Sequence, residues 1–268
     1  DILVNGEQQK TFEEVLPEIV ITKELSALKE DGDYQTPNFV HMTRVSVVSG
    51  TYPSVLLKQW DAFNATKGSE NDRPGKIAAH IILSNMQQVK SILHQVIASL
   101  AVAEDALQFE HRDLHWGNVL VKPTTCTQFN YTLQGKPFSI ESHGVKVAII
   151  DFTLSRLHKD GCSVFTDLST DLTLFEGRGD YQFDVYRLMK ETNGNNWEAF
   201  EPFTNILWIR YLTDKLLNQK NCLQKTNKQS QAINRQLKTL FRQVLNYNSA
   251  HHLLKKSPSC KGLFQFKN

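Results

Sequence analysis

The chain has 268 residues, 40% hydrophobic and 22% charged, a balance that fits a globular protein and excludes a fibrous or wholly disordered one. Its formal charge of +2 and pI near 8.3 fall short of the concentrated basic stripe that reads nucleic acid through its phosphates. The cysteines at 126, 162, 222 and 260 show neither C-x-x-C spacing nor a partnering His pair, so a zinc ligand set is not expected and reduced thiols are.

No run approaches the roughly 20 apolar residues that span a bilayer, and no export signal is visible, so an intracellular protein is expected. The triplets Asn64-Ala-Thr66 and Asn130-Tyr-Thr132 are then chance glycosylation matches.

In chain order, Thr11-x-x-Glu14 reads as a capping box, and Phe12, Val15, Leu16, Ile19 and Val20 form one stripe, predicting a helix over 11–29 bent at Pro17. Val45-Ser-Val-Val48 and Val55-Leu-Leu57, separated by a turn, predict two strands, and 64–75 a polar loop. Ile92, Leu93, Val96, Ile97 and Leu100 recur at helical spacing in a segment ending near Leu107. A loop-rich insertion is expected over 122–144, a strand over 145–150, and helices near 204–218, 228–246 and 249–256.

The chemistry sits in His111-Arg-Asp-Leu-His-Trp-Gly-Asn118, followed by Val-Leu-Val121, and in Ile149-Ile-Asp-Phe-Thr153 at the end of an apolar strand. Phosphoryl transfer needs positioning and charge neutralisation more than covalent help. Asp113 is placed to accept a hydroxyl proton, while Asn118 and Asp151 offer the hard oxygens that suit Mg²⁺ bridging the phosphates of ATP. HRD-x-x-x-x-N between an apolar helix and strand, with a second strand ending in Asp, is far more specific than an isolated triplet. Asp-Leu-His-x-Gly-Asn with Ile-Asp-Phe also fits small-molecule phosphotransferases of the aminoglycoside and choline type, which His115 and Gly117 favour and Arg112 does not.

The strings Lys10–Ile19, Ser91–Val96, Phe109–Asn118, Ile150–Arg156 and Gly179–Arg187 resemble the haspin family of divergent protein kinases over nearly the whole chain, including Asp-Phe-Thr where most kinases have Asp-Phe-Gly. The resemblance implies an α+β bilobal kinase fold, with an N-lobe remnant over 1–82 and a mainly helical C-lobe over 83–268. It implies ATP and Mg²⁺ as cofactors, and a threonine near the start of the histone H3 tail as acceptor, on mitotic chromatin in the nucleus. The sequence leaves the oligomeric state open, with a monomer expected. Asp113 would be the base, Asn118 and Asp151 the metal ligands, and Glu18 the helix partner of an ATP-binding lysine. His115 would lie near the phosphates and the peptide, and Asp171 would hold the tail's cations, with Thr173 where a second Asp is expected. Asp180 and Asp184 would be structural, bracing the catalytic-loop backbone, with Asp180 also a candidate peptide contact; Arg112 would be structural, and Trp116 and Tyr181 would be packing residues.

Neither a Gly-rich loop nor a Val-Ala-Ile-Lys strand precedes the first helix, and Lys58 follows that helix, the wrong order for the ATP lysine. Between Arg73-Pro74 and Leu83-Ser84, only Gly75–Ile82 stands where two strands and the adenine hinge are expected. Three readings follow: a haspin-like serine/threonine kinase of low or no turnover in this form, a fragmentary kinase lobe that binds partners, or a small-molecule phosphotransferase.

Overall fold

A computed structural model of the chain describes residues 3–4, 7–8, 12–30, 32–45, 54–67, 85–218 and 228–260. Short strands β1 (Leu3–Val4) and β2 (Glu7–Gln8) pair ahead of α1 (Phe12–Ala27), which runs through Pro17. The predicted cap at Thr11 lies outside the described residues, as do residues 73–83, where the hinge was expected to be incomplete.

The centre of the molecule is α3 (Met86–Leu107), buried around nearly its whole circumference from Val89 to Ala103. Its start is capped by the Asn85 side chain, which accepts the Gln88 amide, and its end by Gln108 in the left-handed region. A helix apolar all round must be enclosed. Accordingly α3 packs against α6 (Phe203–Asn218), α7 (Lys228–Gln243) and α8 (Ala250–Lys256) on its helical side, and against the sheets on the other.

β4 (Val119–Pro123) pairs antiparallel with β7 (Val145–Ile149), Val119 opposite Ile149. The loop expected over 122–144 is instead a hairpin, β5 (Gln128–Leu133) with β6 (Lys136–Glu141), and β3 (Tyr34–Gln35) pairs with the outer edge of β5. Its two-residue turn places Gln134 (φ 54°) and Gly135 (φ 68°) in the left-handed region, the geometry that lets two twisted strands continue without splaying. Phe129, Tyr131, Leu133, Phe138 and Ile140 bury its inner face.

The strand expected at Val55-Leu-Leu57 is part of α2 (Ser54–Lys67), with Val55, Lys58 and Gln59 exposed. The same helix takes up the first residues of the polar loop expected over 64–75. Val45 lies outside any strand, and 46–48 are outside the described residues. Farther on, β8 (Arg156–Lys159) and β9 (Cys162–Phe165) form a hairpin beside α1, which Lys159 joins by an ion pair with Glu24. Short α4 (Leu172–Glu176) and α5 (Tyr181–Thr192) lead to α6. The described residues contain no helix long and apolar enough to cross a membrane.

A buried polar knot joins these layers. Gln95 Oε1 on α3 accepts from the Val147 amide (3.0 Å) and from Asn38 Nδ2 (2.9 Å), while Gln95 Nε2 donates to Val145 O (3.0 Å). Asn38 Nδ2 also donates to Val147 O (2.9 Å), and its Oδ1 accepts from Ser99 (3.2 Å) and from the Tyr131 hydroxyl. The backbone of the same segment flanks β7, with Ile149 N donating to Asn38 O (2.7 Å) and Val40 N to Ile149 O (3.1 Å). Each buried partner left unmade costs ~1–3 kcal/mol. Gln95→Leu is therefore expected to lower unfolding free energy by about 3–5 kcal/mol, read as an earlier urea midpoint with an unchanged slope.

Candidate active site

The antiparallel register of β4 and β7 decides where the chemistry goes. Asn118 immediately precedes β4 and Asp151 follows β7 by two residues, so pairing Val119 with Ile149 brings the two together, and Ile150 N donates to Asn118 O (3.1 Å). Asp151 sits at φ 63°, a left-handed conformation that Asp tolerates better than most residues and that reverses the chain sharply after the strand.

Asp113 reaches the same junction from the end of α3. The Asn118 amide nitrogen donates to Asp113 O (2.8 Å) and Oδ2 (3.4 Å), which turns the Asn118 amide oxygen away from Asp113. The Tyr186 hydroxyl of α5 donates to Asp113 Oδ1. Burial pushes the Asp113 carboxyl up to about 6, opposed by the Tyr186 hydrogen bond and the nearby His115 and reinforced by the Asp151 charge. Proton affinity is thereby moved toward the working range of a general base.

Backbone bonds hold the loop in place. His111 is wholly buried. Its Nδ1 accepts the Asp113 amide (3.3 Å), so Nε2 carries the proton and donates to Ile150 O (3.1 Å). Burial holds its imidazole down at about 4, so the ring is neutral. The ring also packs against Phe152 (5.5 Å between centroids), which with Phe39 and Phe109 forms an aromatic column under the site.

Arg112, at φ 64°, is fully buried and bonds Glu110 through Nε (3.1 Å) and Nη2 (3.0 Å). Glu110 also accepts the Glu201 amide (2.9 Å) and the Thr204 hydroxyl (2.8 Å). His115 turns its Nδ1 to the Gly117 amide (3.1 Å), leaving Nε2 4.0 Å from Asp113 Oδ2. A Cβ at position 117 would stand 2.8 Å from that imidazole, which is why the residue there is glycine.

Glu18 lies at the same junction. The Thr153 hydroxyl is 2.8 Å from Asp151 Oδ1 and 3.1 Å from Glu18 Oε2, spanning the two carboxylates, while Thr153 O accepts the Thr166 hydroxyl (2.6 Å). Among the described residues no lysine reaches Glu18. Lys58 is on α2 and Lys10 lies outside the described residues.

The other expected residues fall outside this junction or take different partners. Asp171 caps α4, accepting the Leu174 amide (3.1 Å) and the Thr173 hydroxyl (2.7 Å), so the threonine that stands where a second Asp is expected engages the carboxylate of the first. Asp180 caps α5 through the Gln182 amide (2.9 Å) and pairs with Lys215, and Asp184 pairs with Arg187 (2.6 Å). Neither accepts a catalytic-loop amide. That brace is Asn205 on α6, whose Oδ1 accepts His111 N (3.1 Å) and whose Nδ2 donates to Phe109 O (2.9 Å) and Glu104 Oε1 (3.0 Å). Trp116 is not packed but 56% exposed, with Lys215 Nζ 5.9 Å from its ring centroid, while Tyr181 stacks on Tyr211.

Asn205 and Tyr186 were not singled out from the sequence, and Thr153 was noted only as the residue that makes Asp-Phe-Thr distinctive. Tyr186 lies inside a string that carried the resemblance, whereas Asn205 has no local signal and is defined only by the packing of α6 on α3.

Sequence comparison agrees with this layout. The family model described as a haspin-like kinase domain matches residues 8–263. The chain belongs to the haspin-like kinase family. It is 48% identical to serine/threonine-protein kinase haspin of Bos taurus and of Mus musculus, over 94% of this chain and 35% and 36% of theirs. It is 39% identical to the haspin homolog of Drosophila melanogaster, over 93% of this chain and 47% of that one. The chain thus spans about a third of the length of the two mammalian relatives and about half of the fly one.

Within this haspin-like site the Thr153 bridge is the point most open to test. Thr153→Val removes both hydroxyl contacts and should lower the unfolding free energy by about 1–1.5 kcal/mol. Thr153→Ser should restore it, as read from the urea midpoint.

Proposed function

We propose that the chain is a serine/threonine protein kinase domain that transfers the γ-phosphoryl group of ATP to a threonine hydroxyl in the basic N-terminal tail of histone H3, in the nucleus during mitosis. Asp113 carries the reading: it is a carboxylate of raised proton affinity, fixed by Tyr186 and Asn118, beside a second carboxylate, Asp151. It would receive the acceptor's proton as the oxygen attacks phosphorus.

The Asn118 amide oxygen and the Asp151 carboxylate are hard donors of the kind Mg²⁺ takes, and the bound ion would supply neutralisation of the phosphate charge. His115, whose Nε2 faces Asp113, stands where it can donate to the transferring group. Exposed Asp171 supports a basic peptide, although Thr173 adds no carboxylate there, which favours a weaker hold on the tail's cations.

The Glu18–Thr153 contact favours a second reading, a kinase lobe that binds partners without turning over ATP, because the carboxylate that would orient a phosphate-gripping lysine is bonded to a hydroxyl. The two separate on one measurement. A folded chain that fails to bind Mg-ATP supports the lobe reading.

For the kinase reading, slow phosphorylation of a histone H3 tail peptide on threonine is expected, falling by about 10²–10⁴ in Asp113→Asn as a general base is lost. Preference for amino alcohols over the peptide would overturn it. The rate should also fall as pH drops below about 6, where Asp113 takes up a proton. Tyr186→Phe removes a bond that favours the carboxylate, so the acid limb of the rate profile should move upward by about half to one pH unit, the equivalent of ~0.5–1.5 kcal/mol.

A further inference from the structure

The near-neutral total conceals a division of charge. From Lys215 to Asn268 the sequence carries nine Lys and two Arg without a single Asp or Glu, so all 28 acids lie in the first 214 residues, against 19 bases there. At the chain's mean acid content a stretch of this length would hold about five or six. The cations of α7, the longer of the two described α-helices that begin in this stretch, are arranged on one side.

Lys228, Arg235, Lys238 and Arg242 of α7 are all exposed. At 3.6 residues per turn they fall within a sector of about 80°, along roughly 21 Å of helix axis. Ile233, Leu237 and Leu240 bury another face, where α7 meets α3 and α6. Among the described residues none of the four cations has an ionic partner.

A solvated helix surface ordinarily interleaves acids with its bases at i+4. Here Arg235 and Lys238, and Lys238 and Arg242, are like-charge neighbours three and four apart, each pair costing a few tenths of a kcal/mol. An external polyanion would relieve that repulsion. The basic tail proposed as substrate cannot be the occupant, because the row repels it.

We infer that this face of α7 is a docking surface for the phosphate backbone of duplex DNA, without reading of base sequence. A rigid, straight row of cations suits a regular line of phosphates. The sector carries no aromatic or aliphatic side chain that could enter the acyl layer of a membrane.

The test is fluorescence anisotropy of a mixed-sequence DNA duplex of about 24 base pairs, titrated with the chain across a series of salt concentrations. Each phosphate contact adds about 0.9 to the slope of log affinity against log salt. The fourfold variant Lys228→Gln, Arg235→Gln, Lys238→Gln, Arg242→Gln should lose about 3.6 units of that slope and at least tenfold in affinity near 0.1 M salt. Arg235→Glu alone, a lighter perturbation, should lose about fivefold, and the control Lys122→Gln with Lys136→Gln should bind within about twofold of the parent.

Absence of salt-dependent duplex binding, or a fourfold variant that binds like the parent, overturns the inference. So does sedimentation with phosphatidylserine vesicles that depends on these four residues while the duplex does not bind, since that would assign the face to a membrane. None of these readouts requires phosphoryl transfer, so failure of the kinase reading leaves the measurement intact.

Discussion

The structure depends on one register. Val119 opposite Ile149 is what sets Asn118 beside Ile150 and Asp151, and a slip of one residue would send every side chain of β7 to the wrong face. A two-stranded ladder does not secure a register by itself. β7 is fixed on its other flank by Asn38 and Gln95, whose amides take the Val145 and Val147 backbone groups that no further strand covers. Side-chain amides here act as a substitute strand edge, and their full burial makes the substitution strict.

The catalytic turn is held in the same manner, by polar groups rather than by regular structure. Arg112 and Asp151 both adopt left-handed backbone conformations, and such residues persist only where their surroundings over-determine them. Glu110 clamps Arg112, Asn205 takes the His111 amide, Ser155 donates to His111 O (2.8 Å), and the Phe152 column fills the space below. With Arg112 enclosed between Glu110 and the Trp197 ring, its guanidinium is an internal fastening and not a surface group awaiting a phosphate.

Much of this was legible in the sequence where the signal is local. The helical stripe ending near Leu107 and the strand ending at Ile149 appear where the periodicity placed them, because long apolar patterns leave few alternatives. The errors have physical causes. Val55-Leu-Leu57 is too short a run to separate strand from helix, and the exposure of Val55 shows that its composition was not reporting a buried strand. The hairpin at 128–141 was hidden by the polar residues around it and by a Gln-Gly turn, although Phe129, Tyr131 and Leu133 alternate as a half-buried strand should. The brace expected from Asp180 and Asp184 went instead to Asn205, because each aspartate has a cation within reach on its own side, Lys215 or Arg187.

Glu104 gives the molecule a connection that neither half would suggest. Buried, with burial pushing its carboxyl up to about 7, it accepts the Ala250 and His251 amides at the first turn of α8 (3.0 and 2.9 Å) and also the Asn205 side chain that secures His111. The opening of α8 and the turn that carries Asp113 therefore hang on two adjacent side chains. The start of α8 and the catalytic turn thus share one buried carboxylate at the exit of α3, which makes α8 a keystone for the turn that carries Asp113.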